Sequence, residues 1–256
     1  MNHLLVGAAD KTERLLALAE SDFFLIDDGT TATTFAAAFP TAREFHVDKH
    51  HFNPLRDINY KRARDIATTI YAAYPGGHDT LTVRNGKRAL TRLLLDGAEY
   101  IDRLPRKEDP GSLEALAAID DLLLSPVLKE VLSKPTDSSF KGQVIVRLDR
   151  AELGDFDAFV LASLLLGQAQ GQVIIPDLGF YGRDFHVPLI RQGRLTAGVF
   201  SLDELTQSLR RHALLIKNKE GHQCTAEDAE TLADYCSGFP RGTDGHTTYM
   251  QQAMRA

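Results

Sequence analysis

Along the chain, short runs of apolar residues alternate with stretches whose apolar positions recur at helical spacing. The first run, residues 3–6, meets a glycine turn and then residues 12–19, where Leu15, Leu16 and Leu18 predict the buried side of a helix. Phe23-Phe24-Leu25-Ile26 is apolar at every position, as a strand covered on both faces is. Asp27-Asp28-Gly29 ends it in a turn. Residues 33–39 predict a short helix stopped by Pro40, and residues 44–48 a third strand. Helical patterns follow over 61–74, closed by Pro75-Gly76-Gly77, over 86–95 with an extension toward 101, over 113–124 behind a Ser112 cap, and over 126–132. Residues 104–111 (LPRKEDPG) read as an exposed connector. The second half alternates again, with strands at 143–148, 172–175, 195–200 and 213–217. Helices are expected at 155–166, at 202–211 behind Ser201, and at 225–235. This order predicts an α/β, three-layer arrangement with a mainly parallel sheet covered by helices. It reads as one domain over 1–256 with a helical insertion over 84–135.

Composition narrows the class. The chain has 256 residues, 43% hydrophobic and 25% charged, which is ordinary globular composition and enough to bury a sizeable core. A net charge of −6 implies no overall attraction to phosphate backbones, so any nucleic-acid contact has to come from a local patch. The two cysteines, Cys224 and Cys236, argue against a disulfide scaffold and fit a reducing cytoplasm. No stretch reads as a signal peptide, and none approaches the roughly 20 apolar residues of a membrane span. The expectation is a cytoplasmic protein without a membrane segment.

The turn after the first strand carries the candidate chemistry. Gly7-Ala8-Ala9-Asp10-Lys11-Thr12 stands between a strand and a helix. A phosphate loop reads G-x-x-x-x-G-K-[ST] in that context; its backbone N–H groups and lysine hold phosphates and its hydroxyl holds Mg²⁺. Here two loop residues are missing, and Asp10 occupies the place of the second glycine. A shorter loop wraps a triphosphate less well, and a carboxylate there repels it. Read without its surroundings, the same turn is an Asp cap opening a helix.

The order of the remaining pieces adds a resemblance. After the degenerate loop come the acidic strand end FLIDDG, then HFNPL, a helical insertion, a VIVRLDRAELGDFDAF unit, a VIIPD strand and a late segment containing EDAETLA. This order resembles the FtsK/HerA-type P-loop ATPases, and most of all the motor domain of type IV secretion coupling proteins and related conjugation ATPases. The resemblance implies a P-loop NTPase fold. It implies that Gly7, Lys11 and Thr12 match the Walker A positions, Lys11 on phosphate and Thr12 on Mg²⁺. Asp177, closing VIIPD, matches the Walker B aspartate. Active members usually follow that aspartate with a glutamate that orients the attacking water. Leu178 stands there instead, and leucine accepts no proton. Phosphoryl transfer depends on positioning and electrostatic stabilisation, so damage to both motifs points to a pseudo-ATPase.

The expected function is therefore a hydrolysis-deficient structural or regulatory subunit of a DNA- or protein-translocating machine from a mobile element, phage or secretion system. It would assemble with itself or with active ATPase subunits, with ATP and Mg²⁺ as its possible ligands. Two alternatives stand beside it: an active ATPase with a divergent loop, and an interaction module that binds no nucleotide. The segment after Asp177 is the expected contact for a ligand, protein or nucleic acid. Phe180, Tyr181, Arg183 and His186 combine rings and charge, and Arg191 and Arg194 follow.

Three further groupings have plainer readings. Asp149, Glu152, Asp155 and Asp157 could serve a two-metal site, but acids at a helix start suit the dipole. His46, Asp48 and His50 would share one face of a strand and could take a metal, though histidines near a strand end are commonly solvated. His222, Cys224, Cys236 and His246 are zinc-ligand types at a spacing that is not one of the strong patterns.

Overall fold

Phe23-Phe24-Leu25-Ile26 offers water no polar side chain, and the chain answers by covering this strand completely: all four residues are 0% exposed. The computed structural model describes residues 3–6, 11–27, 29–73, 81–181 and 194–199. The elements expected at 202–211, 213–217 and 225–235, and both cysteines, lie outside these residues.

The strands are β1 (His3–Val6), β2 (Phe23–Asp27), β3 (Arg43–His46), β4 (Val144–Arg147), β5 (Gln172–Ile175) and β6 (Leu195–Val199). They form one sheet in the order β1-β6-β5-β2-β4-β3. β1 on β6, β6 on β5 and β5 on β2 all pair parallel. Parallel neighbours need crossovers, so the architecture is α/β with a mainly parallel sheet flanked by helices.

The chain forms two compact units, one of residues 1–44, 141–146 and 169–256, the other of 45–140 and 147–168. In the first, α1 (Thr12–Ala17) follows β1, α2 (Thr30–Ala38) follows β2, and the short α9 (Leu178–Tyr181) follows β5. Leu5, Leu15, Phe23, Leu25, Ala32, Phe35, Ile145 and Ile174 make its core. Phe23 meets Phe35 edge-on at 5.4 Å between ring centroids. Gln172 is a buried polar residue with each amide atom engaged. Its Nε2 donates to the Leu18 carbonyl (2.9 Å) and bonds the Thr196 hydroxyl (2.7 Å), and its Oε1 accepts from the Glu20 N–H at 2.8 Å. That satisfaction ties the end of α1 to the amino ends of β5 and β6. Gly171 precedes β5 with φ +68°, and a Cβ there would stand 2.5 Å from the Asp22 carbonyl oxygen, so only glycine fits.

The second unit is built mainly of helices, the first of them starting at Tyr60. It holds α3 (Tyr60–Ala73), α4 (Leu81–Leu95), a 3-10 turn (Ile101–Arg103), α5 (Pro110–Leu122), α6 (Pro126–Leu132), α7 (Arg150–Leu153) and α8 (Asp155–Leu166). Ala63, Ile66, Ala67 and Ile70 recur at helical spacing on α3, which packs against α4, α5 and α8. Phe52-Asn53-Pro54-Leu55 is a buried clamp. Asn53 Nδ2 donates to the Glu99 carbonyl and its Oδ1 accepts the Leu55 N–H, both at 2.9 Å, while its backbone N–H donates to the Thr136 hydroxyl. Phe52 meets Phe140 edge-on.

Three expected boundaries are corrected. β3 ends at His46, and residues 47–49 turn, because the His46 N–H donates to His50 Nδ1 at 3.0 Å and folds the chain back on itself. α4 starts at Leu81 and stops at Leu95 without reaching 101. The cap of α5 is Asp109, which accepts the Ser112 N–H at 3.0 Å; Ser112 lies inside the helix. Among the described residues, no helix is long and apolar enough to cross a membrane.

Candidate functional site

The sheet register brings distant residues together at one end. Leu5 pairs with Gly198, Ile175 with Ala197, and Leu25 with Ile174. Continuing each parallel ladder places Asp27, Pro176, Gly198 and Leu5 in one row across β2, β5, β6 and β1. Asp177 follows one residue later. The carboxyl ends of these strands therefore share an edge, which is where open α/β sheets bind ligands.

Lys11 and Thr12 open α1 at that edge, Lys11 as its N-cap. Thr12 is buried, and its hydroxyl bonds the hydroxyl of Thr31, near the start of α2, at 2.9 Å. Asp27 is buried too; its Oδ2 accepts the N–H groups of Gly29 (3.1 Å) and Ala32 (2.7 Å) and so starts α2. On the strand between β1 and β5, a Cβ added to Gly198 would stand 2.3 Å from the Pro176 carbonyl oxygen and 3.0 Å from Lys11 Cδ. The lysine stem and the turn after β5 thus converge over a residue without a side chain. Asp177 Oδ1 accepts the Phe180 N–H at 3.1 Å, the bond of a residue capping α9. Leu178 is 0% exposed and belongs to the core.

The structure thus assembles Lys11, Thr12 and Asp177 at one edge. Gly7, Arg183, His186 and Arg191 lie outside the described residues. Phe180 is half-buried on α9, and Tyr181 ends that helix. Arg194 sits elsewhere. It precedes β6, and its guanidinium donates to the carbonyls of Gly171 (2.5 Å) and Ala169 (2.8 Å) at the amino ends of the strands. Four residues of β5, at about 3.3 Å each, separate that end from Asp177. Burial pulls the Arg194 guanidinium below its ordinary range.

His222, Cys224, Cys236 and His246 lie outside the described residues, and members of the other two groupings have separate structural roles. Asp149 caps α7 by accepting the Ala151 N–H, Arg150 Nε pairs with Asp155 at 3.1 Å, and Asp157 accepts from the Ser125 hydroxyl. His50 accepts a backbone N–H and stacks on Phe45. Among the described residues, no three His, Cys, Asp or Glu side chains gather as metal ligands would.

Thr31, Asp27 and Gly198 were not singled out as site residues by their pattern. Gly198 carried a signal, since an isolated glycine within a strand marks a close backbone approach. Thr31 carried none: it stands in a run of threonines and reaches Thr12 only through the fold.

No protein-family model and no curated protein matches the chain. Two solved structures resemble it. The bacterial conjugative coupling protein TrwBdeltaN70, in its unbound monoclinic form, aligns with a TM-score of 0.60 and 14% identity over 92% of this chain and 71% of that one. The plasmid coupling protein TrwB in complex with the non-hydrolysable ATP analogue ADPNP aligns with a TM-score of 0.54 and 14% identity, over 91% and 73% of the two chains. The chain thus shares its fold with a coupling protein, as the resemblance to conjugation ATPases implies.

Proposed function

We propose that the chain is a P-loop-ATPase-like subunit that holds a nucleotide by its phosphates and does not hydrolyse it. One observation carries this reading: Lys11 and the Pro176–Asp177 turn, far apart along the chain, meet over Gly198 at the carboxyl edge of the sheet. A lysine at the sheet edge where a strand ends in an aspartate suits a phosphate chain with its cation. The crystallised complex of TrwB with an ATP analogue supports nucleotide as the ligand class. Thr12 and Asp177 are the oxygens that would face a magnesium ion arriving with it, and that ion would neutralise phosphate charge. The position that follows the aspartate offers no group to activate water. Leu178 occupies the position after the aspartate and points its bulk into the core.

The role that follows is structural or regulatory, in an assembly of this chain with itself or with active ATPase subunits of a DNA- or protein-translocating machine. The Lys11 arrangement favours nucleotide binding over a pure interaction module. Calorimetry with ATP and Mg²⁺ tests the reading. Wild type is expected to bind and Lys11→Ala to lose at least tenfold in affinity, a lost charge-assisted contact being about 1.5–3 kcal/mol. A parallel turnover assay is expected to show no phosphate release. No binding at millimolar ATP would refute the nucleotide, and steady release would favour the active enzyme with a divergent loop.

A further inference from the structure

We infer that Gly198 is a positioning residue for the phosphate site. The absence of a side chain on β6 creates the slot along which the Lys11 stem reaches the Asp177 turn. The inference rests on reading Lys11 as the phosphate ligand and adds a residue that no sequence motif contains.

β6 lies between β1 and β5, so any side chain at its carboxyl end on the Lys11 side stands between the two halves of the site. Gly198 is in the register row of Leu5, two residues before the loop begins, and of Pro176, one residue before Asp177. A Cβ at 198 would overlap the Pro176 carbonyl oxygen at 2.3 Å and press on Lys11 Cδ at 3.0 Å. The first is far inside contact distance and involves backbone; the second involves the stem one carbon short of the Cε that carries the ammonium. An alanine therefore displaces both partners, the turn carrying Asp177 and the lysine carrying the charge. In a lysine that grips phosphate as a point charge, a displacement of this kind weakens binding of the phosphate chain and leaves recognition of the nucleoside untouched.

The test compares wild type, Gly198→Ala, Lys11→Ala and the double variant by calorimetry with pyrophosphate, ATP and AMP, with thermal melting of each. Expected is a loss of about tenfold for pyrophosphate and ATP in Gly198→Ala, with AMP unchanged. The double variant is expected to bind no more weakly than Lys11→Ala, because the glycine acts through the lysine. If Gly198→Ala does not fold, Pro176→Gly beside it frees the carbonyl that the new Cβ meets, and the pair is compared with Pro176→Gly alone. A folded Gly198→Ala chain with wild-type affinities, or with equal losses for all three ligands, would overturn the role of Gly198 and leave the nucleotide reading standing. Wild type that binds neither pyrophosphate nor ATP would overturn both.

Discussion

Asp157 shows how one side chain can carry a charge against its surroundings. It lies in the first turn of α8, is 8% exposed, and has the Ser125 hydroxyl as its hydrogen-bond donor. Burial pushes its carboxyl above the usual aspartate range, and the Ser125 bond only partly opposes that. A carboxyl whose folded pKa exceeds its unfolded value binds more protons in the native state. Its stabilising contribution is full below the unfolded pKa and is lost as pH rises through the folded one. Asp157→Asn keeps an acceptor for Ser125 and carries no charge. In urea titrations it should match or exceed wild type at neutral pH and fall behind as the medium turns acidic. An equal deficit at both ends of the range would show that packing, not ionisation, governs the site. Of this, the sequence showed only acids at a helix start. That one of them is buried and held by a serine far away along the chain depends on how the helices meet.

At the scale of elements, the sequence was legible where side-chain period alone decides and illegible where a single side chain competes for the backbone. Apolar runs marked β1, β2 and β5 within a residue of their ends, because a strand covered on both faces has no other pattern. His46-Val47-Asp48 alternates as a strand would, yet His50 takes the His46 N–H and the chain turns. Asp109 and Ser112 are both good caps, and only geometry chose the aspartate. Hydrogen bonds from the Ser112 hydroxyl and then from its N–H also hold the Asp109 carboxyl below its ordinary range. HFNPL carried family resemblance in sequence, and its observed work is structural. Asn53 joins three segments through the Glu99 carbonyl, the Leu55 N–H and the Thr136 hydroxyl. Asn53→Ala should strand a part-buried carbonyl and a buried N–H and cost about 1–3 kcal/mol in chemical denaturation. His51, its neighbour, bonds Asp137 with both its ring and its backbone N–H. Burial alone would raise the Asp137 carboxyl, and these bonds outweigh it to leave the group below its usual range. A loss under about half a kcal/mol for Asn53→Ala, well short of a stranded buried group, would mean that the loop holds its shape without the clamp.

For the whole molecule, the question is whether a change at one position, Leu178, could turn the proposed phosphate site into a hydrolytic one. The Walker-like residues Lys11, Thr12 and Asp177 were legible as short local motifs, and the fold does gather them at one edge. Their supports, Thr31 and Gly198, come from other strands and helices and were not. The same gap governs Leu178. In sequence it reads as a glutamate replaced, a change that one substitution should reverse. In the structure it is 0% exposed on the first turn of α9, while Asp177 spends Oδ1 on that helix's Phe180 N–H. A glutamate there would carry its carboxylate into the core rather than toward a phosphate. Burying a charge without a partner raises its pKa and costs stability. Leu178→Glu should therefore lose about 3 kcal/mol or more in denaturation and gain no phosphate release from ATP. Release above wild type in a folded Leu178→Glu chain would show that the helix turns with the substitution and that the deficiency lies in one side chain. No release, with the expected loss of stability, would agree with the proposed loss of hydrolysis and with a residue 178 held in the core by the packing of α9.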